Sequence, residues 1–206
     1  MTSTAPGRRK AERRHHPVVR RLVLLVVALG LVGALSVAAL LTLSVRVSGT
    51  SMEPTLHSGD RLVVQPLGDV DRFALVDATV DGTTVVKRVI GLPGDTVRVE
   101  PGDEPRVLVR PGGEVGWYVV DNPTWRGPTQ AGCCADDGRA QGEARDAVVP
   151  DDAYWLLGDR WDSSTDSRSF GWVPRDDLGA RMGLRVLPLS DLGRVTSDVT
   201  LVPADR

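Results

Sequence analysis

At 206 residues, with a net charge of -2, the chain has room for one sizeable domain plus an appended segment. The charge is uneven: the first 21 residues carry Arg8, Arg9, Lys10, Arg13, Arg14, Arg20 and Arg21 against Glu12, which leaves roughly -8 on the remainder. That acidic remainder argues against nucleic acid as a partner, and few aromatics beside 22 glycines and 14 prolines point to short strands and many turns rather than helices.

The basic tail, residues 1–21, is followed by an uncharged stretch rich in Leu, Val and Ala over residues 22–45. As a helix, roughly two dozen residues are enough to cross a hydrocarbon layer of ~30 Å. A cleaved secretory signal would have an apolar region of only ~7–15 residues and a small-residue cleavage site, so the stretch reads as an uncleaved transmembrane signal-anchor. The basic flank then keeps the N-terminus in the cytoplasm and sends residues 46–206 to the extracytoplasmic side of the cell membrane.

Ser48-Gly49-Thr50-Ser51-Met52-Glu53-Pro54-Thr55-Leu56 follows, then a turn at Ser58-Gly59-Asp60 and a strand-like run from Arg61 to Val64. From Thr83 to Ile90 the pattern alternates, with Val85, Lys87 and Val89 on one face and Val86, Arg88 and Ile90 on the other. Gly91-Leu92-Pro93-Gly94-Asp95 predicts a sharp turn into a further strand, Thr96 to Val99. Residues 100–150 are dense in Pro, Gly, Asp and Arg, with apolar patches at Val107–Val109 and Trp117–Val120, and read as an irregular β insertion or a subdomain. Tyr154–Leu157 is a buried strand leading into Gly158-Asp159-Arg160-Trp161, and a last apolar stretch from Gly183 to Leu189 closes the sheet. The expected fold is mostly β: one transmembrane helix, then a barrel-like domain. The two cysteines, Cys133 and Cys134, are adjacent; they are either a strained vicinal bridge or two loop thiols, and they offer no metal site.

Beyond residue 10 the chain contains one lysine, Lys87, among many arginines. An arginine bias could leave one lysine by chance, but Lys87 lies on a valine-flanked strand about 35 residues after a serine that lacks an evident base. A serine hydroxyl needs a partner to take its proton before it attacks a carbonyl. His57, six residues past Ser51, is too close in sequence to fold back with a carboxylate behind it. A lysine normally titrates near ~10.4, and full burial can lower that by ~3–5 units, enough to make Lys87 a general base.

Ser51-Met52-Glu53-Pro54-Thr55-Leu56 with Gly59-Asp60, then Lys87-Arg88-Val89-Ile90-Gly91-Leu92-Pro93-Gly94-Asp95, then Gly158-Asp159 with Ser164, Asp166-Ser167-Arg168 and Gly171, resembles the ordered boxes of type I signal peptidases, in an actinobacterial, Gram-positive-like form. The resemblance runs from the apolar segment to about Gly193 and is weakest over residues 100–150. It implies Ser51 as nucleophile, Lys87 as general base, Ser164 as the hydroxyl that orients the lysine amine, Asp166 and Arg168 as a supporting pair, and Met52, Leu56, Val85 and Val86 as lining of shallow substrate pockets. It further implies acyl transfer without metal or cofactor, and cleavage of preproteins after small-x-small motifs. The partners it implies are the signal peptides of exported preproteins, the lipid bilayer and, transiently, the secretion translocon. The chain departs from the family at Arg160-Trp161, where the family has Asn-Arg, and at Gly49, where some members carry a serine that donates to the oxyanion. With Gly49 the oxyanion hole rests mainly on the Ser51 backbone N–H, with Thr50 and Ser48 as candidate helpers. Two other readings are a self-cleaving Ser-Lys regulator of the SOS-repressor kind, which would need a DNA-binding segment and no membrane helix, and a catalytically impaired anchored domain that binds exported proteins.

Overall fold

A computed structural model describes residues 17–125, 127–128, 132–196 and 198–204. Most of the basic tail therefore lies outside the described residues. The chain forms two compact units, one ending at Thr42 and one beginning at Leu43.

In the first unit, α1 (Pro17–Thr42) is a 26-residue helix. Its length of about 39 Å exceeds a hydrocarbon core, its mean hydropathy reaches 2.7, and none of it is buried against protein. The apolar surface is all-round, as in a membrane anchor. The expected limits of 22–45 shift at both ends. Arg20 and Arg21 lie inside the helix, because arginine is a good helix former whatever its hydropathy. Ser44 and Val45 leave it for β1 (Ser44–Arg46), where Ser44 pairs with Val63 and its hydroxyl accepts a hydrogen bond from Arg61 at 2.9 Å.

The second unit is built from two antiparallel sheets. β2 (Arg61–Pro66), β3 (Leu75–Val80) and β4 (Thr83–Gly91) join β1 in the first sheet. The chain then builds a second sheet from β5 (Thr96–Glu100), β6 (Arg106–Arg110), β7 (Tyr118–Asp121), β8 (Gly132–Cys133), β9 (Ala140–Gly142) and β10 (Ala147–Val148). It returns to the first with β11 (Ala153–Leu157), β12 (Val173–Pro174), β13 (Leu178–Leu187) and β14 (Gly193–Arg194), and ends on the second with β15 (Thr200–Pro203). The strand order of the first sheet is β1-β2-β13-β3-β4-β11-β12, with β14 also on β13; the second runs β15-β7-β6-β5-β8-β9, with β10 also on β5. The barrel-like core is thus two open sheets rather than a closed cylinder.

Two expectations change. Of the insertion or subdomain expected over residues 100–150, the irregularity is what differs: the segment forms most of a regular second sheet, whose edge strand β15 pairs Thr200–Pro203 with Asp121–Tyr118. The apolar stretch after Gly183 does not close the first sheet from its edge. It is part of β13, which starts at Leu178 and lies between β2 and β3. Cys133 and Cys134 are joined in a disulfide and are buried in the core between the sheets.

That core explains why β4 leads into β5 by a turn. Ile90, Trp155 and Leu157 of the first sheet pack with Val97, Val99, Val107, Val109 and Val120 of the second. The turn between them is tied by Asp95, which accepts hydrogen bonds from the Leu92 N–H at 2.6 Å and the Gly112 N–H at 3.0 Å and pairs with Arg72 at 2.5 Å. At Gly91 a Cβ would stand 2.9 Å from the Trp155 Cβ and 3.0 Å from methyls of Val149 and Val97. Gly91→Ala is therefore expected to overpack the seam between the sheets and lower stability by about 1–3 kcal/mol, read by thermal or urea denaturation.

Candidate active site

The serine segment has no regular secondary structure and is held instead by ties from several directions. The Val47 N–H donates to the Asp60 carbonyl at 2.8 Å and the Gly59 N–H returns to the Val47 carbonyl at 3.0 Å, closing the loop at its base. Inside it, Glu53 N–H bonds the Thr50 carbonyl at 3.0 Å and Leu56 N–H the Met52 carbonyl at 2.9 Å. Arg185 of β13 pairs with Asp60 at 3.1 Å and donates to the Thr55 carbonyl. The Ser51 carbonyl accepts the Arg160 N–H at 3.0 Å. The result is a half-exposed Ser51 on a turn fixed from both sides.

Lys87 lies on β4, an interior strand paired with β3 on one side and β11 on the other, with Val76 opposite it. Only 2% of it is exposed. Its Nζ lies 2.6 Å from the Ser51 Oγ, and among the described residues this is its one hydrogen-bond partner. An ammonium has three N–H donors, so a charged Lys87 would leave two of them unmet in the interior. Burial pushes the Lys87 amine below its ordinary value of 10.5; the nearby Asp166 opposes this, Arg168 adds to it and Asp159 opposes it. In the neutral form the amine nitrogen has a lone pair that can accept a hydrogen bond from the Ser51 hydroxyl.

Arg88 points the other way and is accommodated differently. It is 1% exposed, and its guanidinium grips Asp159 through Nε at 2.7 Å and Nη2 at 2.5 Å while Nη1 donates to the Phe73 carbonyl at 2.9 Å. Asn122 adds a longer contact to Asp159 at 3.4 Å. Sequence reading passed over this pair. Its signal was two adjacent cations on one buried strand, each needing an answer to its charge.

Asp166 and Arg168, expected as a pair, form one: the guanidinium reaches both carboxylate oxygens at 2.8 Å. Asp166 is fully buried, caps the short helix α2 (Ser167–Phe170) by accepting the Arg168 N–H, and accepts the Gly158 N–H at 3.1 Å. The departures from the family are packed rather than disordering. Arg160 bonds Glu53 at 2.9 Å, an exposed pair of the kind worth under about 1 kcal/mol. Trp161 is 4% exposed and lies in the core between the sheets.

Three expected roles meet a different geometry. The Ser164 hydroxyl is buried without a hydrogen-bond partner among the described residues, so the bond from Ser164 to the lysine amine is not made; the side chain instead packs over Gly158. Leu56 has no exposed surface and Met52 only 2%, because both belong to a core cluster with Leu62, Leu75 and Met182 beneath the serine turn, so they do not form an open pocket lining. Val86 packs against that cluster and Val85 against a different one, as alternation on a strand requires, and both stay half-exposed. His57 is exposed, while the Ser51 hydroxyl is engaged by Lys87.

Gly158 was named only as part of a motif, yet the site depends on its missing side chain. A Cβ there would overlap the Ser164 side chain and stand 2.6 Å from the Ser51 carbonyl oxygen. Gly158→Ala is expected to displace the serine turn and lower kcat/KM by about tenfold or more, with urea denaturation reporting a smaller loss of stability. Asp159→Ala would leave Arg88 charged and unpaired in the interior, costing about 3–5 kcal/mol. Asp159→Leu combined with Arg88→Met should recover most of that in the same denaturation measurement.

Residues 18–187 match the sequence model of the family described as signal peptidase, peptidase S26. Among curated relatives, a probable signal peptidase I-2 of Synechocystis is 32% identical over 74% of this chain and 66% of its own length. A signal peptidase I of Leptolyngbya laminosa is 29% identical over 82% and 80% of the two chains, and one of Streptococcus pneumoniae is 32% identical over 73% and 84%. A crystal structure of a signal peptidase I from Enterococcus faecalis superposes only loosely, with a TM-score of 0.37 at 23% identity over 55% of this chain and 97% of that one. With a family match that extends from the apolar helix to the end of β13, the chain belongs to the signal peptidase family, peptidase S26.

Proposed function

We propose that Ser51 is the nucleophile and Lys87 the general base with which this signal peptidase removes signal peptides from exported preproteins. The observation that carries the reading is the 2.6 Å contact between the Ser51 hydroxyl and a lysine amine whose burial disfavours its charge. Neutral Lys87 takes the Ser51 proton as the oxygen attacks the carbonyl of the scissile bond. The Lys87 ammonium so formed gives its proton to the leaving amine, and Lys87 then activates the water that hydrolyses the acyl-enzyme. The Ser51 backbone N–H meets the developing oxyanion.

The substrate binds extended, with small residues at the first and third positions before the cut, and the half-exposed Val85 and Val86 are the pocket residues within its reach. Asp166 and Arg168 support the loop above the dyad, and Ser164 orients the amine only if its hydroxyl rotates toward it. The apolar helix anchors the enzyme in the bilayer with the N-terminus cytoplasmic and the peptidase unit outside, where preproteins arrive from the translocon. No observation favours a binding-only domain, since nucleophile and base are both present and in contact.

The test is cleavage of a model preprotein with a small-x-small site by the detergent-solubilised full chain. Ser51→Ala and Lys87→Ala should each abolish cutting while the fold, read by circular dichroism, persists. Full activity in Lys87→Arg would overturn the base assignment, because arginine stays protonated. The pH dependence follows from the lowered Lys87 value: kcat/KM should rise with pH through an ionisation below 10.5, as the amine becomes neutral. Between that lowered value and 10.5 the unfolded chain binds more protons than the folded one, so stability should also rise with pH across this window. Lys87→Met should flatten that rise in denaturation curves taken at several pH values.

A further inference from the structure

Trp161 is buried behind the Gly158–Asp159 turn, and its surroundings give it a specific task. The Arg168 guanidinium lies over the Trp161 ring at 4.1 Å, and its Nη2 donates to the Trp161 carbonyl at 3.1 Å. The ring also packs on Trp125, with centroids 5.1 Å apart. The indole N–H is buried without a hydrogen-bond partner among the described residues, so the ring is held by its faces and edges rather than by its polar atom. Arg168 in turn makes two 2.8 Å bonds to Asp166, which holds the Gly158 N–H at 3.1 Å beside the serine turn. The chain of contacts therefore runs from an indole to a guanidinium, to a carboxylate, and to the Gly158 N–H, where a Cβ would stand 2.6 Å from the Ser51 carbonyl oxygen.

We propose that Trp161 is a positioning residue for the Ser51–Lys87 dyad: its ring seats the Arg168 guanidinium, and through Arg168 it fixes the Asp166 carboxylate that holds the Gly158 N–H against the serine turn. The inference rests on the reading of Lys87 as the base. A planar guanidinium on an indole is well suited to this, since the delocalised cation stacks flat on the ring face and its edge stays free to bond the carboxylate. The charges acting on Lys87 are Asp166, Arg168 and Asp159, and Asp159 is already matched by Arg88. Freed from the ring, Arg168 would offset Asp166 less, and water would enter where the indole was. Both changes favour the ammonium, so both move the Lys87 ionisation upward.

The experiment exploits the lysine count. Only Lys10 and Lys87 are present, so full-length protein in detergent, labelled with 13C at lysine Cε, gives two resonances, and Ser51→Ala or Lys87→Ala identifies the second. The Lys87 signal is titrated in the wild type, Trp161→Leu, Trp161→Phe and Arg168→Lys, with cleavage measured alongside. Trp161→Leu should raise the Lys87 midpoint by about half a pH unit and lower kcat/KM below that midpoint by about threefold. Arg168→Lys, which keeps the charge but loses the planar stack, should do the same, and Trp161→Phe should stay near wild type. If Trp161→Leu does not fold, Arg168→Lys decides. Midpoints that do not move, that move downward, or that move as far in Trp161→Phe as in Trp161→Leu overturn the proposal. A normal Lys87 midpoint in the wild type, near 10.5, would instead overturn the reading of Lys87 as base.

Discussion

Two cations side by side on a buried interior strand constrain everything near them. Lys87 and Arg88 point to opposite faces of β4, and both are buried where the strand enters the interior. An arginine cannot shed its proton, so Arg88 must be met by a carboxylate, and Asp159 meets it with two hydrogen bonds. A lysine can shed its proton, and its amine contacts a hydroxyl instead of a carboxylate. One strand thus carries a permanent charge that is neutralised by pairing and an optional charge that is discouraged by burial. The first ties the loop at Gly158–Asp159 to β4, and the second leaves an amine against a serine hydroxyl.

The same loop that supplies Asp159 reaches the serine turn by two other routes. Its backbone at Arg160 donates to the Ser51 carbonyl, and Gly158 has no side chain to keep the two segments apart. Asp166 then caps α2 and holds the Gly158 N–H, so one carboxylate fixes both ends of the loop. Arg160 and Trp161 fit into this arrangement: one pairs with Glu53 at the surface and the other underlies Arg168.

Much of this was legible in the sequence where the physics is local. A period of two over Thr83–Ile90 identified β4, and the turn at Gly91–Asp95 followed from its glycines and proline. β3 escaped notice because Leu75 and Val76 are both buried and Asp77 interrupts the pattern, its carboxylate turned to the Ala180 N–H. The second sheet looked irregular because several of its strands have only two or three residues between Gly- and Asp-rich turns. What no local pattern contains is the identity of distant partners. Arg88 with Asp159 and Asp60 with Arg185 join positions far apart in sequence, and Met52 and Leu56 look like pocket residues until their burial beneath the turn is known.

The separation within the buried pair has a consequence for synthesis. β4 meets β3 across a two-residue turn, but the carboxylate that answers Arg88 lies 71 residues downstream. Until that segment emerges and folds back, burying β4 would strand a guanidinium in the interior at a cost of several kcal/mol. A nascent chain can hold both Ser51 and Lys87 and still lack the means to bury the lysine, and an exposed lysine keeps its proton. The buried surroundings of Lys87 and the partner of Arg88 are thus completed by the same late segment, which carries Asp159.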